Sequence, residues 1–439
     1  MDEALLKFLR KARTMTLSTN GEKLWATKVF YALDEGFVFL VEKGSLTLKN
    51  IEKNPKVSFE IDSNKLKLFV QGTGTVQILG EPSDFPKERG ILIYKIPEDQ
   101  VFIKHEHVLI ARMIPEEIVV MDMRVEMKKY SEKVSLDEMK QKINPLTRAM
   151  RPWSFQQSVI TFVAGAILAG QLHSLYFLLG ISGVVIAHAA FNMLSEYFDY
   201  KTGLDTPKSM GGSRVLVDNL TSGNRVLNSA LILIILSVLI ALFFIIIRPV
   251  IIPYVVIGLV AGLLYGVPRI GFKNYAMGDL AVFLAWGPGI FLGSYALMGG
   301  KLNLPVILVS VTFALLTVNI LHGNNWRDIK DDTEKGIITV ASLLGNSGSK
   351  AYYFILLWLP FVILILASLI NYRFFPSLMA LVTVPLAINL TVVAKNDRNI
   401  NRGMLDKLTA QYTLIYGIVI VLAFIILQHY SLGLKLLFP

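Results

Sequence analysis

The sequence predicts a multidomain chain, with a small antiparallel β domain in front and an all-α transmembrane bundle of about nine helices behind it. Three observations carry this prediction. Hydrophobic residues fill 53% of the 439 positions and the mean hydropathy is positive, a composition typical of membrane proteins. Charge is spread unevenly: residues 1–150 hold 24 Lys+Arg and 22 Asp+Glu, whereas residues 151–439 hold 19 bases and only 11 acids. The hydrophobic pattern also changes period after Met127, from short alternating runs to long apolar stretches. The chain has no cysteine, so disulfides and thiolate metal sites are excluded. No nucleic-acid partner is expected.

The front domain is assigned to residues 1–125. An amphipathic helix, DEALLKFLRKAR, leads into the runs LWATKVFYAL, GFVFLVE, KVSFEI and LKLFVQGTGTVQIL, which are separated by the turn residues NGE, DEG, EKGS and KNP. Period-two alternation bounded by such turns is the pattern of a small antiparallel sheet or barrel. Charges interrupt the first thirty residues every few positions, so no cleavable signal is expected and the domain should stay on the side where it is made. A charged linker, residues 126–150, ends in a basic, tryptophan-containing approach to the bilayer.

The membrane domain, residues 151–439, contains apolar segments near 155–172, 175–198, 227–247, 250–267, 277–298, 304–323, 351–371, 374–394 and 408–430. Several approach the ~20 residues that a bilayer core requires. The connections after the second, fourth, sixth and eighth segments are basic: Lys201, Lys208, Arg214 and Arg225; Arg269 and Lys273; Arg327, Lys330, Lys335 and Lys350; Lys395, Arg398, Arg402 and Lys407. The opposite connections carry only Arg248, Lys301 and Arg373. Basic loops stay cytoplasmic. A multi-pass protein of the cell (inner) membrane is therefore expected, with its front domain and basic loops in the cytoplasm.

Seven of the eleven acids in this half fall in two places: Glu196, Asp199 and Asp205 after the second segment, and Asp328, Asp331, Asp332 and Glu334 after the sixth. In NMLSEYFD, Asn192, Glu196 and Asp199 stand at i, i+4 and i+7, which makes one polar stripe if the helix continues through them. NNWRDIKDD repeats the spacing with Asn324 or Asn325, Asp328 and Asp332. Carboxylates at membrane depth need compensation from bases, metal or water. Oxygen-only ligands with basic neighbours suit Mg²⁺, which prefers one or two carboxylates together with phosphate oxygens. A secondary transporter also places rare acids in a bundle, but near the bilayer midplane on broken helices. An inert membrane anchor would need no acid motif.

NMLSEYFDYKTGLDT resembles the first signature of the UbiA-type membrane prenyltransferases, with Glu196 where Asp is commoner, and NNWRDIKDDTEKG resembles the second. The flanks GGSRVLVDNLTSGNRVL, YGVPRIGFKNYAMGDLAVFLAWGPG and GIITVASLLG resemble the branch that prenylates dihydroxynaphthoate on the way to menaquinone. The resemblance implies a Mg²⁺-dependent transfer of a polyprenyl group from its diphosphate to an aromatic acceptor, in an all-α bundle whose cavity opens to lipid. It implies Asn192, Glu196, Asp199, Asp328 and Asp332 as metal ligands, and Arg214, Lys273, Arg327 and Arg151 as diphosphate ligands. Tyr265 would lie near the diphosphate and Lys273 would act on it, while Asp205 would position or deprotonate the acceptor. Other members of the superfamily prenylate hydroxybenzoate or glycerol phosphate lipids with the same motifs, so the acceptor stays open.

TMTLSTNGEKLWATKVFYALDEGFVFLVEKGSLTLKNIEKNPKVSFEI resembles the split β-barrel of the pyridoxamine-phosphate-oxidase-like proteins. That resemblance implies FMN or a related flavin, held through Ser45, Lys49 and Asn50, and a homodimer through the barrel. Thr47 stands where the family commonly has a base. The expected division of labour gives redox chemistry to the barrel and prenyl transfer to the membrane domain alone.

Overall fold

A computed structural model describes residues 2–63, 68–104, 107–122, 128–170, 173–207, 209, 212–396 and 404–437. The chain divides into two compact units, Met1–Pro145 with Asp205–Ser222, and Leu146–Leu204 with Gly223–Pro439. Lys208, Arg398 and Arg402 of the expected basic loops lie outside the described residues.

The first unit is a barrel. Strands β1 (Thr14–Asn20), β2 (Leu24–Leu33), β3 (Phe37–Glu42), β4 (Lys56–Ser63), β5 (Leu68–Gly80), β6 (Val108–Asp122) and β7 (Lys128–Glu132) pair in the order β3-β2-β1-β4-β5-β6-β7, all antiparallel. Pairing of β3 with β6, from Phe37 opposite Met113 to Glu42 opposite Val108, closes the first six strands on themselves. Alternation fills the barrel: Leu17, Tyr31, Leu33, Phe37, Phe39, Phe59, Ile61 and Val70 form its core. Burying each large side chain of this kind contributes roughly 1.5–3 kcal/mol. Gly72 has to be glycine, because a Cβ would sit 2.1 Å from the Glu117 carbonyl oxygen and 2.6 Å from the Phe59 ring. β7 falls in the stretch expected as linker. The sequence KKYSE lacks apolar alternation, yet it pairs with β6 from Ile118 opposite Glu132 to Asp122 opposite Lys128.

Helices α1 (Glu3–Lys11), α2 (Leu46–Lys53), α3 (Pro86–Lys95) and α4 (Asp99–Lys104) complete the unit. The loop 205–222 belongs to it as well, with Val215 and Leu216 buried.

The second unit is all-α. Each expected segment centres on a helix, but seven helices, not nine, are long and apolar enough to cross a membrane among the described residues. These are Ser174–Lys201, Gly223–Ile247, Gly278–Leu297, Leu304–Arg327, Val340–Ile370, Tyr372–Lys395 and Leu405–Ile426. The other two segments form the shorter helices Phe155–Leu168 and Pro249–Tyr265. A capping box opens a short helix at Val340, with Thr339 Oγ1 accepting from the Ser342 amide (3.0 Å) and Ser342 Oγ from the Thr339 amide (2.9 Å); the backbone leaves helical geometry at Gly345 (φ 62°), and the long apolar helix runs from there to Ile370. Phe291, Phe313, Phe361 and Tyr416 stack in the centre of the unit. Ile232, Ile246, Leu369 and Val382 are exposed on its outside, where lipid replaces protein as their apolar surroundings.

Candidate active site

The helix Ser174–Lys201 runs without a break through the first acidic motif. Asn192, Glu196 and Asp199 therefore lie along one face, as the spacing predicts, and His188 extends that face by one turn. Each is held. The Asn192 amide donates to the Met150 carbonyl (2.9 Å) and to Ser154 Oγ (3.1 Å). Glu196 is buried, and Arg151 donates to its Oε2 at 2.9 Å. The Asp199 Oδ1 accepts from Lys273 Nζ, and its Oδ2 accepts from Ser195 Oγ (3.2 Å), which in turn accepts from Lys273 (3.3 Å). Two bases distant in sequence thus neutralise the two carboxylates of this motif. Arg151 adopts the left-handed backbone region with φ of 55°, a conformation that costs a non-glycine residue on the order of 1–3 kcal/mol and persists only where the surroundings enforce it.

The second motif is built differently. The helix Leu304–Arg327 ends at its own motif, and Asp328 joins it to the short helix Ile329–Glu334. The Asp332 amide still donates to the Asp328 carbonyl (2.9 Å). Arg327 holds Asp328 through two nitrogens, and it also donates to Asp406 Oδ2 (3.0 Å) and to Asn324 Oδ1. Asp332 makes none of these contacts. Its carboxyl is pushed up to about 6, first by burial and then by the nearby charge of Asp328.

A cavity of about 380 Å³ lies within this unit. Its wall includes Gly180, Gly183, Ala187, Phe191 and Ser195 of one helix, Gly258, Gly262 and Tyr265 of another, and Trp286, Gly289 and Gly293 of a third. On Ser174–Lys201 these positions recur every three or four residues from Gly180 to Ser195, so the cavity follows that helix for roughly 22 Å at 1.5 Å per residue. Arg151 and Asn192 line it too, Asn192 one turn before Glu196 and two turns before Asp199 on the same helix. Tyr265 is within electrostatic range of Asp199, Arg151 and Asp332, which brings both motifs near one point of the wall. The third helix widens into π-helical turns over Ala285–Leu292, around Pro288. Proline has no amide hydrogen and clashes with the carbonyl four residues back, which a wider turn relieves.

The structure therefore gathers Arg151, Asn192, Glu196, Asp199, Tyr265 and Lys273 around one end of the cavity, and holds Arg327 and Asp328 in a second ion-paired cluster. Asp205 and Arg214 belong to the first unit. Arg214 is buried there, bonded to Asp218 and to the carbonyls of Pro207 and Ser209. Sequence reasoning missed His188, whose ring bonds to Ser158 Oγ (2.8 Å) and Ser154 Oγ (3.2 Å). Its signal was its place four residues before Asn192 on the same stripe. Asp406, the second partner of Arg327, carried no motif.

The barrel residues behave otherwise. Ser45 Oγ caps α2 by accepting from the Leu48 amide (3.2 Å). Asn50 is fully buried; its amide donates to Thr19 Oγ1 (3.0 Å) and the Lys23 carbonyl (2.8 Å), and its oxygen accepts from the Glu22 amide (2.8 Å). Lys49 alone of the three is exposed. With both donors of Asn50 spent on the β1–β2 turn, these residues do not fit a flavin-phosphate cradle.

The mostly apolar cavity, with Arg151 and Asn192 in its wall and the ion-paired Glu196 and Asp199 beside them, is the candidate active site. The chain belongs to the UbiA prenyltransferase family, which residues 158–405 match. Residues 1–100 match the pyridoxamine 5'-phosphate oxidase family, so the barrel is a domain of that kind. UbiA prenyltransferase domain-containing protein 1 of Xenopus tropicalis is 32% identical over 302 residues, covering 67% of this chain and 85% of that protein. Its Homo sapiens counterpart is 31% identical over 301 residues, covering 67% and 87%. The solved structure of a UbiA homolog from Archaeoglobus fulgidus bound to GPP and Mg²⁺ aligns with a TM-score of 0.45 and 14% identity, covering 63% of this chain and 99% of that one.

Proposed function

We propose that this membrane prenyltransferase moves a polyprenyl group from its diphosphate to an aromatic acceptor, 1,4-dihydroxy-2-naphthoate, in menaquinone biosynthesis. The observation that carries the reading is the cavity: an apolar channel that follows one helix for roughly 22 Å and has Arg151, Asn192 and Ser195 in its wall. The choice of acceptor rests on the resemblance of the flanking segments. A polyprenyl tail suits the glycine-lined, apolar wall, and a diphosphate suits a cluster of bases that release their carboxylate partners when a stronger anion arrives.

Asn192, Glu196, Asp199, Asp328 and Asp332 would hold Mg²⁺. The raised Asp332 carboxyl fits this, because a buried acid beside a second anion gains most from a cation. Bound Mg²⁺ supplies charge that stabilises a departing diphosphate. Arg151, Lys273 and Arg327 bind the diphosphate oxygens and share its charge; Arg214, whose donors are spent on Asp218 and the carbonyls of Pro207 and Ser209, is left out of this set. Tyr265 stands beside that group. The cavity wall excludes water from the allylic cation left behind when the carbon–oxygen bond breaks. The acceptor ring attacks that carbon and then loses a proton, for which Asp205 is the proposed acceptor. Basic loops and active site lie on the cytoplasmic side, so a cysteine introduced at Gly203 should resist an impermeant thiol reagent in intact cells while one at Gly300 reacts. No flavin step is assigned to the barrel.

Lipid-quinone profiling of a deletion strain tests the acceptor. Loss of menaquinone with accumulation of dihydroxynaphthoate supports it. Unchanged menaquinone with a missing prenylated glycerol lipid would move the enzyme to another branch.

A further inference from the structure

The loop 205–222 joins two membrane helices in sequence, yet it folds into the barrel unit. It docks on α3 and α4 through a buried charge cluster. Asp218 receives Nε of Arg89 on Oδ1 (2.9 Å), and Arg214 on both oxygens (3.2 Å each). Arg89 also donates to the carbonyls of Pro82 (2.7 Å) and Val217 (3.1 Å). Gln100 of α4 donates to the Ser209 carbonyl (2.6 Å), which Arg214 also bonds. Arg89, Arg214 and Asp218 are all almost fully buried. Gly90 lets the loop approach, since a Cβ there would sit 2.5 Å from Asp218 Cβ.

Burying two guanidiniums and one carboxylate is a poor source of stability, because desolvation offsets most of the attraction. What such a cluster does is fix one arrangement, since every alternative leaves a buried charge unpaired. The arrangement fixed here is that of the loop carrying Asp205 and Arg214. The loop begins four residues beyond Lys201, the end of the helix that carries Glu196 and Asp199.

We infer that the barrel serves prenyl transfer as the scaffold of this loop, and that Arg89 is a positioning residue acting through Asp218. Its kinetic readout rests on the reading of the chain as a prenyltransferase. A barrel matched to an oxidase family therefore works here through its outer helices. This proposal opposes the division of labour expected from sequence, in which the membrane domain transfers the prenyl group alone.

The test uses the full chain with Arg89→Met, Arg89→Lys and Gly90→Ala. Arg89→Met leaves Asp218 paired one-to-one with Arg214. Gly90→Ala improves the helix former in α3 while pushing the loop away. Two readouts are taken, tryptic cleavage at Arg214 and steady-state prenyl transfer. The expected result is that Arg89→Met and Gly90→Ala expose Arg214 to trypsin at least ten-fold faster and lower kcat at least ten-fold, with Arg89→Lys intermediate in both. Protection of Arg214 in both variants overturns the docking. Exposure of the loop with unchanged kcat overturns the positioning role. If the wild-type chain transfers no prenyl group to any acceptor, the functional reading falls while the proteolysis still decides whether the barrel holds the loop.

Discussion

The barrel and the membrane bundle each present polar residues that resemble a family's ligand set, and the structure treats the two sets in opposite ways. In the barrel, Ser45 and Asn50 spend their hydrogen bonds on a helix cap and a neighbouring turn. In the bundle, Glu196, Asp199 and Asp328 are held by Arg151, Lys273 and Arg327, bases that can change partners. A polar set satisfied by backbone groups is architecture. A set satisfied by ion pairs beside a cavity is prepared for an anion and a cation together, because the anion can take over each base while the cation takes over its carboxylate.

The largest expected effect falls on the carboxylates of the bundle. Asp199→Asn and Asp328→Asn should each lower kcat by about a thousand-fold, from loss of several kcal/mol of charge stabilisation. Both variants should remain folded in detergent, which a thermal melt checks. A variant with wild-type turnover would remove the contrast with the barrel.

Next comes the cavity wall. Gly258 lines the cavity and a Cβ there would meet nothing within 4 Å. Gly258→Leu should therefore leave the fold intact and raise KM for long prenyl diphosphates roughly ten-fold, with short ones unaffected, since the side chain occupies space the tail needs. Equal effects on both lengths would place the tail elsewhere.

A smaller effect concerns pH. The Asp332 carboxyl titrates near 6 in the folded, metal-free chain, against an ordinary value near 4. Its contribution to stability is complete below about 4 and is lost as pH rises through 6, because the folded state then holds a charge it disfavours. Added Mg²⁺ should reverse that loss, so the rise in Tm on adding Mg²⁺ should be larger at pH 8 than at pH 5. Asp332→Asn should shrink the difference.

The smallest effect lies in the barrel. Ser45→Ala should cost about 1 kcal/mol through the lost helix cap, lowering the Tm of unfolding by a few degrees with prenyl transfer unchanged. Loss of a bound flavin in that variant would mean that Ser45 serves a ligand after all.

Much of this was legible in the chain. Alternation gave the strands, and the i, i+4, i+7 stripe gave the first motif, because a continuous helix turns that spacing into one face. The stripe's counterions were not legible. Lys273 sits in a turn 74 residues beyond Asp199, and only packing brings them together. β7 was hidden because an edge strand tolerates charge on both faces. The roles of Ser45 and Asn50 were hidden for a different reason: a motif specifies residue types, and the same types cap helices and brace turns. The sequence holds nine apolar runs, yet among the described residues seven helices reach membrane length, since hydropathy does not report where prolines and turns cut a run short.

The central claim is that the bundle ionises a prenyl diphosphate at its two acidic motifs. The most direct measurement is diphosphate release by the purified full-length chain from a polyprenyl diphosphate, with dihydroxynaphthoate present, with and without Mg²⁺, beside the Asp199→Asn chain. Release should be matched one-to-one by prenylated acceptor in the wild-type chain with Mg²⁺, and should fall to background without the metal or in the variant. Undiminished release from the Asp199→Asn chain, or from the wild-type chain freed of divalent metal, would contradict it.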